Sequence, residues 1–354
     1  MIDLKQATHG SIAAHNLEGA RLHGWARFWR TPTQSAAAAA LLDQELLTAQ
    51  FCGDTSAFDR METLANELLR VDPEAAETWM VLAQVASATH RFGDARAALA
   101  RGEALGALPE SVEGLSLAID QATGTDMERL LSRRRERAVR TGLWDELVPL
   151  GALLGDLGEF DAAEQTFLRA LREYGEISPF ALAWACFELG VLWGERRTEP
   201  CAERAAQWYR VALHYLPCYV KARVHLAEIL LAEGQTNEAE RLLRAVLSSS
   251  DPEVHWRLSE VAEATEDPAG AETFMTAARS GFESLLERHL LAFADHGAEF
   301  YLSGGADPAR AFELALLNFS NRQTTRAYNL VLRAARSAGQ PDFHTRLRLN
   351  PAGM

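Results

Sequence analysis

Histidine, glutamate and cysteine are the side chains here that could do chemistry, and their spacing limits what that chemistry can be. His225 and His255 have Cys218 and Glu228 nearby in sequence. His289 and His296 are a heptad apart and share one helical face, with Glu299 one turn beyond. A metal centre needs three or four converging ligands, and neither set carries H-E-x-x-H or a comparable paired spacing. Helical phasing turns His225 toward neighbouring helices. We therefore expect His225, His255, His289 and His296 to be structural, with metal binding as the rival reading, and we expect no cofactor. His90 falls at a helix end, where the dipole favours a cation. Cys52, Cys186, Cys201 and Cys218 form no C-x2-C pair, which fits reduced thiols. No phosphate-binding loop, dinucleotide fingerprint, nucleophile elbow or kinase set occurs, so no catalytic residue is expected.

One segment stands apart. PFALAWACFELGVLWG, residues 179–194, carries a single charge, Glu188. Leu189, Gly190 and Trp193 make one apolar stripe, and Trp184, Phe187 and Val191 make a second on another face. A helix that is apolar all round is normally buried. Either the second stripe is an exposed aromatic binding surface, or a terminal helix or tight curvature covers it.

Bulk properties narrow the class. The chain has 354 residues, 48% of them hydrophobic, and 35 Lys and Arg against 49 Asp and Glu, a net charge of −14. That balance disfavours nucleic acid as the main partner and suits basic or apolar ligands. No stretch reads as a membrane span or a signal peptide, so a cytoplasmic location is expected.

Nearly every segment has helical periodicity, and no segment alternates as a strand would. The breaks fall at Gly53-Asp54, Asp72-Pro73, Gly93-Asp94, Gly158, Gly234, Asp251-Pro252, Asp267-Pro268, Asp307-Pro308 and Gly339. Small residues recur between the breaks. Ala205 and Ala239 lie one period of about 34 residues apart, and Ala95 and Ala163 two such periods. A small side chain is needed where two helices of a unit cross.

The fullest unit reads Leu147-x2-Leu150-Gly151-x2-Leu154, then Gly158, Phe160, Ala163, Phe167 and Ala170. Others read Trp79-x2-Leu82-Ala83 with Ala95 and Leu99; Leu189-Gly190-x2-Trp193 with Ala205, Tyr209, Ala212 and Pro217; and Leu226-Ala227-x2-Leu230 with Gly234, Ala239, Leu243 and Val246. This pattern resembles the tetratricopeptide repeat family over roughly residues 34 to 339. The units near 109–141 and 34–72 keep little of the motif. The one near 253–281 is short, and the last, about 283–321, has a stretched turn. The stretch from Ala292 to Tyr328 also resembles uncharacterised bacterial proteins of this class, which implies a prokaryotic setting.

The resemblance implies an all-α, right-handed solenoid of about eight helical hairpins plus a capping helix near 324–338. It implies that the first helix of each unit lines a concave groove. The groove positions are then Met80, Gln84 and Ser87; Val148, Ala152 and Gly155; Trp184, Phe187, Val191 and Gly194; Lys221, Val224, Glu228 and Leu231; and Glu253, Trp256, Glu260 and Glu263. Trp184, Phe187 and Val191 would form the floor. Glu228, Glu260 and Glu263 beside Trp256 would form an acidic wall suited to a Lys- or Arg-bearing peptide. The family's carboxylate clamp needs Lys and Asn where this chain has Val148, Ala152, Phe187, Val191, Val224 and Glu228, so that role is not expected.

The ends differ from the body. Arg21, Arg27 and Arg30 flank Trp25, Phe28 and Trp29, and the tail carries Arg322, Arg326, Arg333, Arg336, Arg346 and Arg348. Polar caps explain both ends; basic ends meeting acidic bodies of neighbouring copies, as in a homo-oligomer, is the sharper alternative. The run Arg133-Arg134-Arg135-Glu136-Arg137 with Arg140 reads as a solvated convex face. The expected organisation is a helical extension over 1–33, a solenoid over 34–323, and a capping helix with a basic tail over 324–354. The expected function is a non-enzymatic scaffold that binds a protein or peptide. A small-molecule- or metal-binding accessory protein is the alternative.

Overall fold

The computed structural model describes residues 5–32, 35–340 and 343. Among these there are eighteen α-helices and no strand. A first helix, α1 (Gly10–Arg30), precedes eight hairpins. They are α2–α3 (Ser35–Cys52, Ser56–Val71), α4–α5 (Ala76–Ala88, Phe92–Ala104), α6–α7 (Pro109–Thr123, Met127–Thr141) and α8–α9 (Trp144–Asp156, Phe160–Glu173). Then come α10–α11 (Pro179–Val191, Ala202–Tyr215), α12–α13 (Val220–Ala232, Thr236–Arg244), α14–α15 (Pro252–Ala264, Pro268–Arg288) and α16–α17 (Leu290–Leu302, Pro308–Asn321). The last helix, α18 (Thr325–Ser337), closes the stack.

The helices start where the sequence says they should. Asp251, Asp267 and Asp307 cap α14, α15 and α17 by accepting hydrogen bonds from the backbone amides of Glu253, Gly270 and Arg310. The proline after each takes the first helical position, where a missing N–H costs nothing. Packing is densest within the pairs from α8–α9 onward and in α4–α5, looser within α6–α7, and the leading helices α2 and α4, α12 and α14, and α16 and α18 also touch along the stack. This is an all-α solenoid with the helix pairing that the tetratricopeptide resemblance implies. The recurring small residues Ala95, Ala163, Ala205 and Ala239 are completely buried at the crossings.

Three expectations need correction. The seventh hairpin is not short. α15 continues through Phe282, Leu285 and Leu286, which carry its apolar face into the core, so the following unit begins at Leu290 rather than near 283. The arginine run on α7 is not merely a solvated face. Arg134 and Arg137 turn inward onto the buried Glu146, while Arg133 pairs with Glu113 and Arg135 with Glu159. His90 is not a cation at a helix end. Burial, then the charge of Arg322, lowers it to about 4, and its Nδ1 lies 3.1 Å from the Leu291 carbonyl.

That last contact belongs to a longer seam. Gly10 abuts Tyr215 and Pro217. Phe51 packs against Phe180 and, edge to face, against Tyr219, at centroid distances of 5.2 and 4.7 Å. Ser249 and Ser250 donate to the Gly53 carbonyl, and the Thr55 amide donates to Ser250 Oγ at 2.8 Å. Asp59 meets Arg288 and His289. The Asn321 side chain donates to the His90 carbonyl, and the Gln323 amide to the Thr123 carbonyl. Turn after turn of the N-terminal units thus rests on turns about 200 residues later. The solenoid comes back on itself, and its two arms run side by side.

Candidate binding surface

On the leading helices α12 and α14, ionisable side chains recur at spacings of four and three. On α12 these are Lys221, His225 and Glu228; on α14 they are Glu253, Arg257 and Glu260. That spacing puts each set on one helical stripe. His296 and Glu299 on α16, and Arg326 and Arg333 on α18, add two more stripes.

A local irregularity completes the row. After Val191 the chain makes a π-helical turn, Leu192–Arg196. Such turns are rare and concentrate at functional sites. This one swings Glu195 to within 2.9 Å of His225 Nδ1 and lets Arg196 reach both Glu188 and Asp156 at 2.8 Å. Arg257 bridges Glu228 and Glu260 and lies 3.7 Å over the Trp256 ring. His296 Nδ1 sits 2.6 Å from Glu253 Oε1, and Arg322 sits 3.3 Å from Asp295. Arg326, on α18, is within electrostatic reach of Glu195, Asp295 and Glu299. The stripes therefore face one another around a single charged trough.

The charges set one another's protonation. Burial raises Glu195, but the hydrogen bond and charge of His225 outweigh it and hold the carboxyl at about 2. Burial likewise raises Glu253, and His296 overrides it to about 2. Burial opposes the charged forms of His225 and His296, yet their carboxylate partners raise both above the ordinary histidine value. Asp251 goes the other way: burial, then repulsion from Glu253, brings it to about 6. Glu195 is nonetheless 37% exposed and His296 34%. Groups that are crowded yet wetted are what a trough produces.

The expected groove residues are spread over two environments. Lys221, Glu228 and Glu260 are half-buried on the trough stripes, and Glu263 is exposed at its edge. Val148, Val224 and Trp256 lie inside the core, and Ala152 packs against it. Phe187 and Val191 are buried too, with Phe187 enclosed by Tyr209, Tyr219 and His225 at 5.1–5.6 Å. Trp184 is half-buried, 5.4 Å from Trp144, and its indole N–H donates to Glu188 at 3.3 Å. The end of α2, through Phe51 on Phe180 and Tyr219, covers this part of the stack.

The histidines are divided between pairs and core. His289 Nε2 lies 2.8 Å from Asp59, and His255 packs near Phe274. Among the described residues, no three His, Cys, Asp or Glu side chains converge as metal ligands would. Glu195, Arg196, Arg257 and Asp295 were not anticipated. The 253–257–260 spacing on α14 was legible; the π turn had no signal beyond a stretched linker at 198–201. Arg346 and Arg348 lie outside the described residues.

No helix among the described residues is long and apolar enough to cross a membrane. No family model matches the chain, and no curated protein matches it. Solved structures do. A chain of the APC/C hetero-tetramer Cut9–Hcn1 is 16% identical, with a TM-score of 0.49 over 78% of this chain and 54% of that one. The present chain thus spans about half of that protein. Yeast Tom70 is 11% identical at a TM-score of 0.36, over 94% of this chain and 89% of Tom70. Naa15/Naa10 bound to HypK is 14% identical at 0.30, over 96% of this chain and 64% of that one. With these TM-scores below 0.5, the all-α solenoid assignment stands on the chain's own helix pairing.

Proposed function

We propose that this chain is a non-enzymatic helical-repeat scaffold that holds a basic segment of a partner protein in its charged trough. The observation that carries this reading is the row of wetted ionisable side chains on α12, α14 and α16. Its acids, Glu195, Glu228, Asp251, Glu253, Glu260, Glu263, Asp295 and Glu299, outnumber the permanent cations Arg196, Lys221, Arg257, Arg322, Arg326 and Arg333, and His225 and His296 add positive charge as pH falls. An acidic trough on a chain of net charge −14 attracts and orients a Lys- or Arg-bearing peptide. Repeat solenoids use concave surfaces in this way, because stacked units present aligned stripes rather than one closed pocket.

Selection from a random displayed-peptide library tests the reading. Enrichment of Lys- and Arg-rich sequences on the native chain is the expected result. Enrichment of acidic sequences, or of none, would overturn it.

A further inference from the structure

Cys52 ends α2, and Cys218 lies in the turn between α11 and α12. They are far apart in sequence, yet they meet across the seam where the two arms of the coil run together. Their neighbours pack pairwise. Phe51 meets Tyr219 edge to face with ring centroids 4.7 Å apart, and a Cβ placed on Gly53 would lie 2.9 Å from Val220 Cγ2. Between these two contacts the two thiols are within electrostatic reach of each other. Both residues are half-buried rather than enclosed. The other two cysteines are differently placed. Cys186 is fully buried, and burial pushes its thiol well above the ordinary range. Cys201 is half-buried as well, but it sits in the linker before α11.

We propose that Cys52 and Cys218 are a redox modification site that closes a disulfide staple across the seam in the presence of a small disulfide such as oxidised glutathione. Cys218 is the attacking thiol. Arg223, whose Nε donates to the Pro217 carbonyl at 2.8 Å, sets a cation beside it that favours the thiolate, whereas Asp54 lies two residues from Cys52. Thiolate fraction governs such reactivity. The Cys218 thiolate attacks one sulfur of glutathione disulfide, whose S–S bond breaks, and the departing glutathione thiolate takes up the proton that Cys218 gave up. Cys52 then loses its proton and attacks Cys218 Sγ, releasing the second glutathione, which takes that proton. Two protein thiols are oxidised to one disulfide, and one glutathione disulfide is reduced to two thiols. The staple ties the end of α2 to the start of α12, where Gly53 and Thr55 already bond to Ser249 and Ser250. It would hold the coil closed.

The test is oxidation of the full chain with glutathione disulfide, read by mass spectrometry of the intact protein and of a non-reduced digest. The native chain should lose two hydrogens, retain no glutathione and yield a linked Cys52–Cys218 peptide pair. Cys52→Ser should stop at a stable glutathione adduct on Cys218. Cys218→Ser should react at Cys52 at least about tenfold more slowly. Helical circular dichroism confirms that each variant is folded, and Cys52→Ala and Cys218→Ala replace any that is not. Hydrogen exchange then reads the staple: amides of residues 51–55 and 218–220 should exchange more slowly in the oxidised chain. Adducts on both cysteines of the native chain with no link between them, or a link to Cys201 instead, would overturn the proposal.

Discussion

His296 and Glu253 face each other between α16 and α14, with Nδ1 2.6 Å from Oε1. The pair joins two neighbouring repeats through the trough wall, and its twin, His225 with Glu195, joins α12 to the π turn at 2.9 Å. Both pairs thus add an ionic contact between neighbouring elements, beside apolar ones such as Trp256 on Phe300.

That arrangement fixes a pH dependence. Both histidines are raised in the folded chain, so their contribution is complete below the unfolded value near 6.5 and is lost as pH climbs through the folded one. Glu195 and Glu253 are held at about 2, so their contribution is present above about 4.5 and is lost as pH falls toward 2. Asp251, raised to about 6, favours folding while protonated, and that help disappears between about 4 and 6. Lys221 and Asp295 bear on His296 with opposite signs. Thermal melts should therefore show stability falling from mildly acidic toward mildly alkaline pH. The double variant His225→Gln/His296→Gln should flatten that slope. An unchanged slope would show that the pairs do not act this way.

Crossing residues give a second expectation. A Cβ on Gly151 would sit 2.8 Å from the Phe167 ring, and one on Gly190 would overlap the Tyr209 ring. Gly93, on the surface of α5, has open space around it. Gly151→Ala and Gly190→Ala should each cost about 1–3 kcal/mol, while Gly93→Ala should be neutral or stabilise by up to about 1 kcal/mol. Urea unfolding midpoints read the contrast.

Phe187 and Trp184 should separate. Phe187 is buried among Tyr209, Tyr219 and His225, so Phe187→Ala should lose about 3–5 kcal/mol of stability. Trp184 keeps an exposed face, and Trp184→Ala should cost distinctly less. Equal losses in urea titrations would mean that both rings are equally structural.

Along the seam, Ser250 Oγ accepts from the Thr55 amide and donates to the Gly53 carbonyl. Ser250→Ala leaves that amide without its partner, a loss of about 1–3 kcal/mol. Hydrogen exchange should quicken at residues 53–55 and stay unchanged in α8 and α9. Uniform quickening would mean that the seam and the stack open together.

Much of this was legible because it is local. Ala205 and Ala239 mark their crossings by size alone, and Asp251-Pro252 marks a helix start by capping chemistry. Eight hairpins and the cap α18 follow from such signals. The seam does not. Whether Phe51 reaches Tyr219 depends on the small rotation that each repeat adds, summed over several repeats, and no window of sequence holds that sum. Phe187, whose helix looks equally like a groove floor, is buried by Tyr209, Tyr219 and His225 from its own and the next hairpin. The π turn that delivers Glu195 to His225 is set by packing rather than by a motif.

Fluorescence anisotropy of a short labelled oligoarginine peptide, with an oligoglutamate peptide as its control, bears most directly on the trough. The native chain should bind the basic peptide in preference to the acidic one, and more weakly as salt screens the charges. The double variant Glu195→Gln/Glu263→Gln should bind it more weakly still. Equal binding of both peptides, or basic-peptide affinity unmoved by salt and by these substitutions, would contradict an acidic trough as the surface that holds the partner.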